Sequence, residues 1–218
     1  MDGSKFAVTS GGDSEKGFFS RNIKLIALII VAVVLVVGVV LVVLNVSGSK
    51  RKAAADKAYQ VYEGYYSLEA GASDDDIRKV ISDLTRNEAS FSEKSPAAVR
   101  LNFYKADLYD RIGDATNRIS CLEKVAASAS SDNYLLPISL YDLAVAYESD
   151  GNVTKAAENY YKVYEVGGKD SELSDISLFA LYRIYHQSEP AKAEGYKKIL
   201  EDEFKDSEYT RFLLNIGK

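Results

Sequence analysis

Residues 140–163 read LYDLAVAYESDGNVTKAAENYYKV, and the order of residue types in this stretch decides the fold. Leu140, Leu143, Ala144 and Tyr147 recur at three- and four-residue intervals, as do Ala156, Tyr160 and Val163, with Gly151 between the two sets. Such spacing places each set on one face of a helix. A glycine between them can take the left-handed backbone that ends one helix and turns the chain. The stretch therefore predicts two short antiparallel helices joined by a tight turn. A lone pair of this kind leaves an apolar face uncovered and must stack on neighbours, which builds an array with a concave surface.

The neighbours are legible at an offset of 38, where Ala106, Tyr109 and Gly113 match Ala144, Tyr147 and Gly151. Ala144 and Ala156 let two backbones approach, and Tyr147 and Tyr160 fill the space beside them. In the preceding pair Arg118 stands where Ala156 stands in the central one, so that crossing is expected to open and its helices to splay. In the following pair Ile176, Phe179 and Ala180 recover the first helix and Tyr196 and Ile199 mark the second, but the connection, Gln187 to Glu189, has no glycine. Ala53 to Ser90 reads as a degenerate first repeat with Tyr59, Tyr62 and Tyr66 on one helical face, and Ser207 to Ile216 as a final covering helix. Cap residues set the boundaries: Ser73 before Asp74, Asp75 and Asp76, Ser95 before Pro96, Asp114 after Gly113, Asn152 after Gly151, and Glu189 before Pro190. Helices are expected at 53–70, 75–89, 96–112, 115–128, 134–149, 153–166, 173–187, 190–204 and 207–216.

Ahead of this array, Leu25 to Leu44 is a run of twenty residues without a charge, almost all Val, Leu and Ile. At about 1.5 Å per residue a helix of that length spans a ~30 Å hydrocarbon core. The expected organisation is a disordered tail over 1–22, a transmembrane helix over 23–46, a basic linker over 47–52 and the repeat domain over 53–218. A cleaved signal peptide is the rival reading, but its apolar region is ordinarily about 7–15 residues and no A-x-A site follows. Lys16, Arg21 and Lys24 before the run are balanced by Lys50, Arg51, Lys52 and Lys57 after it, so charge leaves two topologies open.

The pair at 140–163 closely resembles a tetratricopeptide repeat, with a small residue at the helix crossing, an aromatic a turn later and a glycine in the connection. The fold class is thus all-α, one transmembrane helix followed by a tetratricopeptide-like helical-hairpin array, an α-solenoid. A short tail, one anchor and a small repeat domain together resemble the membrane-anchored bacterial family that includes the ancillary subunit of the Sec translocon. The phrase from Tyr196 to Leu200 and on to Phe204, Asp206, Ser207, Glu208 and Tyr209 is also similar to repeats of bacterial envelope-assembly proteins, where a proline usually replaces Lys205. These resemblances imply a single-pass protein of the bacterial inner membrane with its C-terminal domain exported. They also imply a scaffold for translocation or envelope assembly whose partners are other proteins; a cytosol-facing adaptor of opposite topology is the alternative, and homodimerisation is left open. In the family the groove is lined by the first helix of each pair, and the matching positions are Arg100, Phe103, Asp107 and Asp110, then Tyr141, Val145 and Glu148, then Ser177 and Leu181. The Lys and Asn side chains with which the best-known repeat clamp holds a peptide C-terminus are absent from these positions. An extended apolar or basic polypeptide suits them better.

Catalytic chemistry finds little support. The one histidine, His186, falls near a helix end, and the one cysteine, Cys121, on an inner helical face between Ile119 and Leu122. Asp74 to Asp76 start a helix and lack the alternation and glycine of a calcium loop. Gly167, Gly168 and Lys169 are followed by Asp170, not by the Ser or Thr of a phosphate loop. No catalytic residue, cofactor or metal is expected. From residue 47 onward 23 basic residues meet 29 acidic ones, a balance of −6, which disfavours nucleic acid. All sixteen tyrosines lie beyond residue 58, the most unusual compositional feature of the repeat domain; many are expected to pack, Tyr109, Tyr147 and Tyr160 among them, and a few to sit elsewhere.

Overall fold

A computed structural model of the chain describes residues 52–216 and, ahead of them, Val37 alone. The expected tail and, except for Val37 and Lys52, the transmembrane segment and linker lie outside the described residues. Among the described residues no helix is long and apolar enough to cross a membrane. The chain divides into two compact units, Met1–Asp56 and Lys57–Lys218. Val37 and residues 52–56 of the first are helical; the second carries the array.

That unit is all helix and turn among its described residues: α1 (57–66), α2 (Asp74–Glu88), α3 (Pro96–Arg111), α4 (Ala115–Ser128), α5 (Leu135–Ser149), α6 (Val153–Gly167), a 3-10 turn at Gly168–Asp170, α7 (Ser174–Tyr185), α8 (Pro190–Glu203) and α9 (Glu208–Ile216). From α3 onward each helix packs chiefly on its chain neighbours, the contact pattern of an α-solenoid of hairpins. The first helices of successive pairs, α3 and α5, also touch.

The two glycine turns are built alike. Gly113 and Gly151 sit at φ +71 and +80. In each, the following residue donates its amide five residues back, Asp114 to the Tyr109 carbonyl and Asn152 to the Tyr147 carbonyl, both at 2.8 Å. This is the Schellman arrangement that answers the last carbonyls of a helix. Asp114 and Asn152 then cap the next helix, accepting from the amides of Asn117 (3.1 Å) and Lys155 (3.2 Å). One residue thus closes one helix and opens its partner, which is why the connection is so short. Ser73 and Ser95 cap α2 and α3 in the same way. The first helix stops at 66, short of the expected 70, where the Leu68 amide turns to the Tyr65 carbonyl three residues back at 3.3 Å.

Packing follows the small residues. Ala144 and Ala156 have no exposed surface, and Tyr147 and Tyr160 are buried with them. Ala106 in α3, and Ala180 and Ala193 in α7 and α8, take the corresponding places. In the last pair the close contact on α8 is Ala193, whereas Tyr196 and Ile199 pack against the core from its edge. The expected splaying at Arg118 does not occur: α3 and α4 pack about as extensively as α5 and α6. Its guanidinium reaches across to Asp110 at the edge of the α3–α4 contact, and Cys121 and Leu122 fill the crossing from one turn further along. A continuous core runs from Ala106 to Leu213, and a second joins Ala58 and Tyr62 to Ile77, Ile81, Leu84, Leu101 and Leu108.

Charged groups tie adjoining helices. Glu88 of α2 accepts from Lys105 of α3 and Lys124 of α4, each at 2.9 Å, and Lys105 is almost wholly buried. Tyr147 of α5 donates to Glu123 of α4 while Lys155 of α6 donates to the same hydroxyl. At the end of the array Thr210 of α9 is buried and donates to the carbonyls of Leu200 and Phe204.

Gly151→Ala should destabilise the domain by about 1–2 kcal/mol, the cost of holding a side chain in the left-handed region. Gly195→Ala, in an exposed stretch of α8 with no atom within 4 Å of the added methyl, should stabilise it by up to about 1 kcal/mol. Denaturant titration of the two variants checks the opposite signs.

Candidate functional site

The face shared by the first helices is the candidate site. Along α3, Arg100, Phe103, Asp107 and Asp110 follow at intervals of three and four and so share one side of the helix. Phe103, Asp107 and Asp110 meet Arg118 of α4 and Asp142 of α5 around a pocket of ≈ 220 Å³, floored by Ala106 and Leu122. Three carboxylates there are answered by one guanidinium, an excess of negative charge that suits an organic cation. Burial raises the pKa of Asp142; Arg118 opposes the rise and the Asp110 and Asp107 charges add to it. Among the described residues no group of three or more His, Cys, Asp or Glu has the arrangement to hold a metal ion.

Arg100 lies apart from this pocket, in a patch of tyrosines from three parts of the chain. Tyr65 of α1 stacks on Tyr104 of α3 with ring centres 4.1 Å apart, and Tyr62 and Tyr66 meet the same ring edge-on. The hydroxyls of Tyr66 and Tyr104 are hydrogen-bonded at 2.8 Å, and the Tyr65 hydroxyl donates to Asp107 at 3.1 Å. Tyr62 is buried and donates to the Ala97 carbonyl at 2.6 Å. Tyr59, Tyr66 and Tyr134 are at least half exposed. Of the α1 tyrosines that share a helical face, one packs and two present their rings outward.

The remaining expected residues separate. Tyr141 and Val145 are half-buried against the core, Tyr141 edge-on to Tyr160. Glu148 is bound within the fold, accepting from the Tyr160 hydroxyl at 3.0 Å and paired with Arg183 of α7. Ser177 and Leu181 are buried, at 0% and 1% exposure, and belong to the core and not to an accessible wall. This departure has a plain cause: α7 is covered by α6, α8 and α9, so positions that are open earlier in the array are closed there. Sequence reading missed Asp142, Tyr65, Tyr104 and Tyr134 as site residues. Asp142 neighbours Tyr141 on the strip of α5 that meets α3, and that strip is where a signal could have been sought.

No protein-family model matches the chain, and no curated protein matches it. Solved structures do. The crystal structure of MamA superimposes with a TM-score of 0.52 at 20% identity, over 71% of this chain and 83% of its own. A putative kinesin light chain from Podosopora anserina with nearly identical TPR-like repeats gives 0.48 at 16% identity over 74% and 90%. A second crystal structure, of a variant of that kinesin light chain, gives 0.46 at 17% over 71% and 87%. At such identity the likeness to MamA is one of fold.

Burial, and for Tyr65 also the Asp107 carboxylate, pushes the Tyr62 and Tyr65 phenols up to about 12. An unfolded phenol ionises near 10, so between 10 and 12 the folded state holds protons that the unfolded state has lost. Stability contributed by these phenols is therefore full below about pH 10 and is lost as pH rises toward 12. Denaturant titrations across this window should show a decline in unfolding free energy that the double variant Tyr62→Phe/Tyr65→Phe makes shallower. Equal slopes in both proteins would contradict the assignment.

Proposed function

We propose that the chain is a membrane-tethered scaffold that binds partner proteins along the face shared by α1, α3 and α5, as an ancillary factor for translocation or envelope assembly. The observation that carries the binding half is the α3–α5 pocket, where three carboxylates outnumber one guanidinium beside a floor of Ala106 and Leu122. An Arg or Lys side chain on an extended polypeptide fits that chemistry: the alkyl stem lies on the apolar floor and the charged end meets the carboxylates. Tyrosines alongside supply contact area at low cost in side-chain entropy. A binding function of this kind needs no reacting group or cofactor.

The tethering half rests on the uncharged run from Leu25 to Leu44 and on the resemblance to anchored bacterial repeat proteins. An anchor confines the domain to the membrane surface and raises its effective concentration near membrane partners, so modest contacts in the groove suffice. The domain is assigned to the exported side of the bacterial inner membrane.

Cys121 provides the test of topology. It is buried, and burial raises its thiol pKa, so a membrane-impermeant maleimide reaches it only once the domain is loosened. In intact spheroplasts under mild urea Cys121 should label; labelling only after lysis would place the domain in the cytosol. An exported chain beginning at residue 53 should keep its cooperative unfolding transition yet fail to replace the full protein in a deletion strain. Full replacement would remove the anchor from the function.

A further inference from the structure

Three half-buried arginines lie in α3 and α4, and two are satisfied. Arg118 pairs with Asp110, and Arg111 donates to the Glu69 carbonyl at 2.8 Å. Arg100 differs. Its Nε is buried with no partner, and its one hydrogen bond, Nη2 to the Tyr134 hydroxyl, is stretched to 3.4 Å. Among the described residues no carboxylate pairs with it. A guanidinium nitrogen that has given up water without gaining a partner is costly to the fold, and such groups call for an explanation.

The surroundings supply donors and no acceptor of charge. Tyr134 accepts from Arg100 and is free to donate its own proton. The Tyr66 and Tyr104 hydroxyls bond each other, which uses one of their two protons and leaves the other. Tyr104 follows Arg100 by one helical turn on α3 and its hydroxyl holds that of Tyr66, which puts these phenols beside the guanidinium on one face. Tyr134 and Tyr66 are also 62% and 50% exposed, so the guanidinium has only to turn outward past one long bond to meet solvent.

We propose that Arg100, walled by Tyr66, Tyr104 and Tyr134, receives the carboxylate of an Asp or Glu side chain on an extended segment of the partner protein. The inference rests on the reading of this face as a protein-binding groove and names what one end of it takes. The fork of Nε and Nη matches two carboxylate oxygens, and the free phenol protons answer their remaining lone pairs. Phosphate offers the same oxygens with about twice the charge, and the −6 balance of the chain beyond residue 47 favours the singly charged ligand.

The acidic pocket adds a rule of spacing. Arg100 and Asp107 are seven residues apart on α3, about 10 Å along its axis, which is about three residues of extended chain. A segment with one acidic residue at Arg100 therefore meets Asp107, Asp110 and Asp142 with the residue about three places away. That residue should be basic or neutral; a second acid there is repelled. The groove reads the separation of opposite charges, and the net charge of the peptide matters less.

The test is selection from a library of nine-residue peptides with amidated C-termini, some positions carrying phosphoserine, on the detergent-solubilised full chain. Wild type should enrich Asp or Glu at one position and Lys or Arg about three places away. Arg100→Gln should lower the acidic enrichment at least tenfold and leave the basic enrichment, and Arg100→Lys, which keeps charge without the fork, should fall between them. Unchanged thermal transitions exclude misfolding. Acidic enrichment that survives Arg100→Gln, or its absence from wild type, overturns the inference while leaving the groove reading in place. Preference for phosphoserine over Glu overturns the choice of carboxylate. Failure to select any peptide overturns both readings.

Discussion

Between α5 and α6 the buried side chains at the crossing are methyl groups, Ala144 and Ala156, with no exposed surface on either. Interiors are close-packed, so the size of the residue at a crossing fixes how near two helices lie. Everything else is arranged around that distance. Tyr147 and Tyr160 fill the space beside the alanines, and their hydroxyls reach Glu123 and Glu148 at the rim. Gly151 at positive φ makes the turn short enough for the helices to return at that spacing. With the hairpin fixed, its other face can only be covered by the next one, and α3, α5 and α7 follow as first helices of successive pairs.

Most of this was legible from residue types, because it depends on local chemistry. Caps, prolines and glycines act within four or five residues, so the observed helices begin and end within a few residues of expectation. Arg118 shows where local reading fails. A long charged residue at a crossing suggests a wide gap, yet a flexible guanidinium bridges to the facing helix at its edge when Asp110 is in reach and Leu122 takes up the volume. In the same way Ser177 and Leu181 match groove positions by register, and the helices packed over α7 bury them.

The candidate site was harder to read because it is assembled across repeats. Phe103, Asp107 and Asp110 are visible on one helix, but Asp142 completes their pocket from another, 32 positions after Asp110 in the chain. The abundance of tyrosine was plain, whereas its division into packing and presenting rings was not. Tyr62 and Tyr66 share a helical face, and only the contact with α3 turns one inward to Ala97 and leaves the other exposed beside Arg100. An array of small repeats gives each first helix one strip to spend on binding, and here the strip of α3 carries a cation at one end and an acidic pocket at the other.

The central claim is that partners dock on the face of α1, α3 and α5. Amide hydrogen exchange of the full chain, alone and with its partner co-purified after in-membrane crosslinking, tests it most directly. The account predicts added protection in 57–66, 96–111 and 134–149, with α6 and α8 unchanged. Added protection confined to α6 and α8 would contradict it.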